Sequence, residues 1–392
     1  MGMVGPFGTS SEALWNALIR GNPLFQPYSR YSLRGLAGAV RNFHVMDYVK
    51  KPRVARSPRI SQYALMSAVQ AITDANINKN IKNTAIVYGT GTGPTEATEN
   101  ILDAMIDEGL GTVEPLLFQE CVFNAPASLI SIHFKIRGPL IVLPMDWVTG
   151  GFALKVAVDF LRHNDINSVI VVVSDELSQS NHEARRYLKL VSPNDGGEEG
   201  MRPFDQSHNG AILSEGSVAL ILEKADNALQ RKAPIYGEIA SCATGSDAYR
   251  VGANNPDGSG LTRVMRQSMA RANINPEDVD CLLAGTFATK QSDLVESRAV
   301  TTTFTDHLPP VTSIKSVIGE MGASGLFNVV AGLLAIRNGL IPATVGITEC
   351  APECEKLDIV MSPRRLDTLK TVMVNSFFVS GVYASAVLRA WS

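Results

Sequence analysis

Residues able to do chemistry are scattered along this chain instead of gathered in one motif. Five cysteines, Cys121, Cys242, Cys281, Cys350 and Cys354, are odd in number and irregular in spacing, which argues against a disulfide framework. Cys350 and Cys354 are spaced like half of a metal site, but no histidine or second cysteine pair follows, so no zinc is expected. Gly89-Thr90-Gly91-Thr92-Gly93-Pro94 follows an apolar run and invites a dinucleotide reading. Its spacing is G-x-G-x-G, no phosphate-loop lysine follows, and Pro94 interrupts the turn, so a tight strand-to-loop turn is the better reading. No cofactor is expected. The most basic stretch, Lys50-Lys51-Pro52-Arg53-Val54-Ala55-Arg56-Ser57-Pro58-Arg59, reads as a solvated loop before a helix, or as a dock for an acidic partner. Asp195-Gly196-Gly197-Glu198-Glu199-Gly200 reads as an acidic surface loop.

The elements that would position such groups are those of an α/β protein. The chain has 392 residues, 45% hydrophobic and 19% charged, enough to bury a large core and too apolar for disorder. A net charge of −3 carries neither a nucleic-acid footprint nor a polybasic membrane anchor. The apolar runs fall well short of the roughly 20 residues of a membrane span. The opening Met1 to Gly8 has no basic and apolar leader pattern, so a cytoplasmic protein is expected. Ala85–Tyr88, Leu140–Leu143, Val169–Val173 and Val218–Leu222 read as strands covered on both faces, because they lack period-two alternation. Ile60 to Ile77 reads as an amphipathic helix with Leu65, Ala68, Val69 and Ile72 on one stripe. The βαβα order predicts a mainly parallel sheet flanked by helices. An internal echo is present. Thr149-Gly150-Gly151-Phe152 opens one helix, running to about Asn164, and Ser324-Gly325-Leu326-Phe327 opens another, each after an apolar strand and a tight turn. Two duplicated halves are predicted, 1–225 and 226–392, with the seam near residues 224–235.

Several blocks together resemble the β-ketoacyl-acyl-carrier-protein synthases of the thiolase fold. Asn124-Ala125-Pro126-Ala127 with Gly138-Pro139 resembles the block ahead of that family's nucleophile strand. Arg202-Pro203-Phe204-Asp205, Gly210 and Glu215-Gly216 resemble its R-P-F-D…G…E-G signature. Gly285-Thr286 with Asp293 and Glu296 resembles H-G-T-x-T…D-x-x-E, and Ser313-Ile314-Lys315-Ser316 with Gly319 resembles K-S-x-x-G-H. The opening Met1 to Gly8 resembles the turn after the family's first strand. The resemblance implies a thiolase-like fold with duplicated halves in five α-β-α-β-α layers, and a dimer formed through a strand of the N-terminal half. It also implies a cysteine at the N-terminus of a buried helix, made a thiolate by the helix dipole, and two histidines that stabilise the enolate and oxyanion of the condensation.

The resemblance fails at the reacting atoms. The nucleophile position is Trp147, the first histidine position is Ala284 and the second is Glu320. An indole has no lone pair for acyl transfer, and Ala284 moves no proton. Glu320 puts negative charge where a developing oxyanion needs a donor. The family's G-F-G-G-x-N turn is here Phe378-Val379-Ser380-Gly381-Val382-Tyr383. Lys315 and Glu296 are retained as structural charges, and Lys315 is expected to pair with Glu296, Glu320 or Asp146, since an unpaired buried charge is costly. The pattern resembles the chain-length-factor (KSβ) subunits of type II polyketide synthases, with the loss of both histidines pointing towards the aryl polyene type. That implies a catalytic ketosynthase partner in a heterodimer, an acyl carrier protein, and a role in setting the acyl tunnel. Trp147 is expected to plug this chain's own pocket, and Leu116, Leu117, Phe118, Val122 and Phe123 are the candidate tunnel and interface residues. Two other readings are an enzyme of different chemistry using Asp146, Glu320 and Lys315, and a homodimeric scaffold that binds acyl carriers.

Overall fold

In the computed structural model, which describes residues 1–28, 35–77, 81, 84–163 and 166–391, two five-stranded sheets carry the architecture. The first is built from β1 (Gly2–Val4), β2 (Ala85–Thr90), β3 (Leu140–Pro144), β4 (Ser168–Asp175) and β5 (Gly216–Glu223). The second is built from β6 (Glu238–Ser246), β7 (Cys281–Leu283), β8 (Val311–Thr312), β9 (Thr371–Phe378) and β10 (Val382–Arg389). Across the first sheet the order is β3-β2-β4-β5-β1, and across the second β8-β7-β9-β10-β6. Counted within each half, both read 3-2-4-5-1. Directions match as well: β2 is parallel to β3 and β4, and β7 to β8 and β9, while the other pairings are antiparallel. The two halves are therefore duplicates in topology, with the first sheet ending at Glu223 and the second beginning at Glu238.

The expectation of mainly parallel sheets is corrected here, because only half the pairings are parallel. The apolar runs signal cover on both faces, not strand direction. Val87 and Val171 point to the layer between the sheets, whereas Ile86, Ile170 and Val172 pack outward. Both faces are buried, so alternation disappears even in β5, which is antiparallel to both its neighbours.

Between the sheets lie the helices of the internal echo, α4 (Thr149–His163) and α8 (Ser324–Asn338), each following the third strand of its half; Asn164 lies outside the described residues. Gly150 is where they touch. A Cβ there would lie 2.5 Å from the Leu326 amide nitrogen, so the approach needs a residue without a side chain. Outside the first sheet pack α1 (Arg59–Ala75) and α3 (Ala125–Phe134), while α2 (Thr95–Glu108) follows β2 and α5 (Gln179–Tyr187) follows β4. Leu65, Ala68 and Ile72 of α1 bury the predicted stripe, and Asn76 closes the helix with φ 52°. Outside the second sheet pack α6 (Ser259–Ala272) and α7 (Lys290–Thr303). The result is the five-layer thiolase-like arrangement. No helix of the described residues is long and apolar enough to cross a membrane.

Candidate functional site

The turn between β3 and α4 is the focal point. A single 3-10 turn, Asp146–Val148, connects them, with Asp146 at φ 55°. Met145 N donates to Thr149 Oγ1 at 3.0 Å, and that hydroxyl donates to the Thr90 carbonyl at 3.0 Å, so the helix start is tied to β2. This geometry delivers residue 147 to the N-terminus of a buried helix, where the helix dipole would favour an anion. The residue delivered is Trp147, whose indole is neutral and 2% exposed.

Aromatic rings surround that indole. Its centroid lies 5.3 Å from Phe287 and 5.1 Å from Phe378, the latter edge-on at 71°. Phe378 ends β9 and stands where the resemblance called for glycine, so the residue that departs from the pattern fills space beside Trp147. Arg185 of α5 forms the roof, its Cζ 4.6 Å from the indole centroid. Arg185 is itself buried and is held by Asp146 in a two-pronged pair, Nη2 to Oδ1 at 2.8 Å and Nη1 to Oδ2 at 3.3 Å. Burial pushes the Asp146 carboxyl up, and the Arg185 charge opposes it.

On the C-terminal side, Ala284 follows β7 and is fully buried. Its carbonyl accepts from Asn328 Nδ2 at 3.0 Å, and its side chain brings no proton donor or acceptor to the site. The next two amides, Gly285 and Thr286, donate to the Glu296 carboxylate at 3.0 and 2.7 Å, and Asn375 Nδ2 donates to the same group at 3.0 Å. Burial pushes Glu296 up to about 7 against those bonds. Lys315 donates to Glu320 Oε2 at 2.6 Å and to the Gly285 carbonyl at 2.7 Å. Of the three partners expected for Lys315, the structure supplies Glu320. Asp146 goes instead to Arg185. Asp146 and Glu320, the carboxylates of the alternative enzyme reading, thus serve different cations, and no hydrogen bond joins them among the described residues.

The room left beside Trp147, Glu320 and Arg185 is a cavity of about 10 Å³. That is near the roughly 10–15 Å³ minimum for one water, and far below the roughly 300–1,000 Å³ of a ligand pocket. Asp175 also lines it, and takes the amides of Gly91 at 2.7 Å and Thr92 at 3.4 Å. The Gly93 amide donates to Thr90 Oγ1 at 2.9 Å, so the glycine-rich loop turns these donors onto groups of its own chain. Burial pushes Asp175 up to about 6 and Glu176 up to about 8. Glu176 accepts the second-residue amides of α1 (Ile60, 3.1 Å) and α2 (Glu96, 2.9 Å), fixing two helix starts beside the site.

Comparison with known proteins matches this arrangement to one family. Residues 1–228 match the description Beta-ketoacyl synthase, N-terminal domain, and residues 236–348 match Beta-ketoacyl synthase, C-terminal domain. A 3-oxoacyl-[acyl-carrier-protein] synthase 2 of Coxiella burnetii is 30% identical, covering 99% of this chain and 96% of that one. The enzyme of that name from Staphylococcus aureus is also 30% identical, covering 99% of both. The chain belongs to the β-ketoacyl synthase family. Among solved structures, the ishigamide ketosynthase/chain length factor superposes with a TM-score of 0.92 at 24% identity, covering 100% of this chain and 98% of that one. A type II polyketide acyl-carrier protein in complex with its ketosynthase gives 0.90 at 23%, covering 100% and 98%. At those identities they speak for the β-ketoacyl synthase fold alone.

Within this β-ketoacyl synthase fold, none of the five tunnel and interface candidates lines the small cavity beside Trp147. Leu116, Phe118, Val122 and Phe123 are exposed and Leu117 is half-buried. They precede α3, and α3 is followed by β3, which has a neighbour on one side only and so forms an open sheet edge. Ile106 of α2 and Ile132 of α3 are exposed as well. In the basic stretch, Lys50, Lys51, Arg53 and Arg56 face solvent, whereas Arg59 turns inward to the buried Glu215. Sequence reasoning missed Arg185 and Phe287. Neither lies at a departure from the family motifs, so only the folded geometry reveals that they enclose the indole.

Proposed function

We propose that this chain is the non-catalytic partner of a ketosynthase heterodimer, a chain-length factor for a type II system of the reducing, polyene-forming kind. One observation carries the reading. The place that would hold a thioester and its acyl group is filled by Trp147, Phe378 and Phe287 and roofed by Arg185, leaving about 10 Å³. Ala284 and the Lys315–Glu320 pair leave no proton carrier of the histidine kind at the other two positions. The alternative enzyme built on Asp146, Glu320 and Lys315 is disfavoured, because Asp146 is committed to Arg185 and Glu320 to Lys315.

What remains useful is the outside of the N-terminal half. Ile106, Leu116, Phe118, Val122, Phe123 and Ile132 are all exposed apolar residues of the N-terminal half, whose first sheet also ends in an open strand, β3, and such features suit a partner of the same fold. The likeness to a ketosynthase/chain length factor structure supports this choice of partner. Leu116, Leu117, Phe118, Val122 and Phe123 would then floor the partner's tunnel. Each methylene that fits gains about 0.8 kcal/mol of burial. One too many forces overpacking at about 1–3 kcal/mol, so the floor acts as a ruler. The exposed Lys50, Lys51, Arg53 and Arg56 suit an acidic acyl carrier protein, by long-range attraction.

Co-expression with an intact Cys-His-His ketosynthase tests the reading. Native mass spectrometry should find a one-to-one complex that condenses acyl units, with this chain alone inert. A chain that stays monomeric beside every such ketosynthase, or that elongates unaided, overturns it.

A further inference from the structure

A far larger cavity than the one beside Trp147 lies elsewhere in this fold. It lies at the junction of the halves, where β5, β6, α4 and α8 line a cavity of about 490 Å³. The wall is apolar: Val158 and Leu161 of α4, Leu220 and Leu222 of β5, and Leu333 of α8. Val158, Leu161, Leu220 and Leu333 retain 6–9% exposure and line the cavity, while Ala153, Leu154, Val218 and Leu326 on the same elements retain none and do not. About 150 Å³ suffices for one benzene-sized guest, so this volume takes roughly three such units.

The rim is charged, and its balance is uneven. Asp74 is occupied by the Met1 amine at 2.6 Å and the Tyr236 hydroxyl at 2.9 Å. Glu223 is occupied by Arg231. Arg162 and Lys224 are exposed and have no ion pair among the described residues, against one exposed carboxylate, Glu238. An apolar wall beneath unmatched cations suits a molecule with a hydrocarbon body and an anionic head.

We infer that this junction cavity is a second binding site, for a single-chain carboxylate amphiphile, set between the two halves and separate from the filled condensation pocket. The inference does not depend on whether the chain is catalytic. Dodecanoate, titrated into the full chain by calorimetry, should bind saturably and one-to-one, with a change in the fluorescence of the rim residue Trp391. Reversing the rim with Arg162→Glu and Lys224→Glu should weaken dodecanoate roughly tenfold. The same reversal should leave 1-decanol within about twofold, since a neutral head has no cation to lose. Leu222→Trp should fill the cavity and weaken both ligands. A thermal melt run beside each titration shows that the variants are folded, and the surface reversal tests the site even if Leu222→Trp does not fold. No saturable binding up to about 1 mM, near the limit of useful affinity, overturns the inference. So does dodecanoate binding that neither variant changes, which would place the amphiphile on the exposed apolar surface around Phe118.

Discussion

Truncating Trp147 to alanine exposes what the indole does. Trp147 heads the fully buried side chains of the described residues by volume. Removing a buried tryptophan costs about 3–5 kcal/mol, the sum of lost transfer energy and the cavity left behind. The ring contacts with Phe287 and Phe378, about 0.5–1.5 kcal/mol each, and the Arg185 stack, about 0.5–2 kcal/mol, lie within that figure. Arg185 would keep its two bonds to Asp146, so no bare charge is added to the cost. A total stability of about 5–15 kcal/mol leaves Trp147→Ala folded but weakened. The vacated space should accept free indole. At ten times its dissociation constant, indole would return about 1.4 kcal/mol. Urea denaturation with and without indole reads both quantities. A loss below about 1 kcal/mol, with no response to indole, would refute the view of Trp147 as the plug. Condensation activity in the truncated chain would refute the wider view that proton-handling groups are missing too.

Other consequences can be checked separately. Glu320→Ala strands Lys315 in the core and should cost about 3–5 kcal/mol, while Lys315→Met combined with Glu320→Leu should recover most of that loss in a denaturation cycle. Burial holds Glu176 at about 8 against an ordinary 4.5, so the folded chain keeps a proton that the unfolded chain releases. Stability from this group is full below 4.5 and falls as pH rises towards 8; Glu176→Gln should flatten the melting temperature across that window, and an unchanged slope would count against it. In the reconstituted complex, Phe118→Ala or Phe123→Ala should lengthen the product by chromatography and mass spectrometry, and identical product profiles from both would move the ruler elsewhere.

The folded arrangement was legible in some residues and opaque in others, for physical reasons. The helix-opening echo at Gly150 and Gly325 did foretell a duplicated fold, because close helix packing demands small residues at both places. Strand direction was not legible, since a strand buried on both faces looks the same whichever way its neighbours run. Trp147 and Phe378 each stood out in the sequence, at positions where the resemblance calls for a cysteine and a glycine. Their meeting was not, because β9 and the turn before α4 are more than 200 residues apart and only the fold brings Phe378 to 5.1 Å from the indole. Arg185 gave no signal at all: one arginine on a short polar helix looks like any solvated charge until Asp146 and the indole draw it inward. Lys315 was legible as needing a partner, but the choice of Glu320 over Glu296 or Asp146 depended on distances that no spacing encodes.

Where the acyl group goes separates a non-catalytic partner from a catalyst. The direct measurement is intact-protein mass spectrometry of the reconstituted complex after incubation with acyl-loaded carrier protein, with peptide mapping of any adduct. The acyl mass should appear on the catalytic partner alone and product should form only when both chains are present. An acyl adduct mapped to this chain, or product made by this chain in isolation, would contradict it.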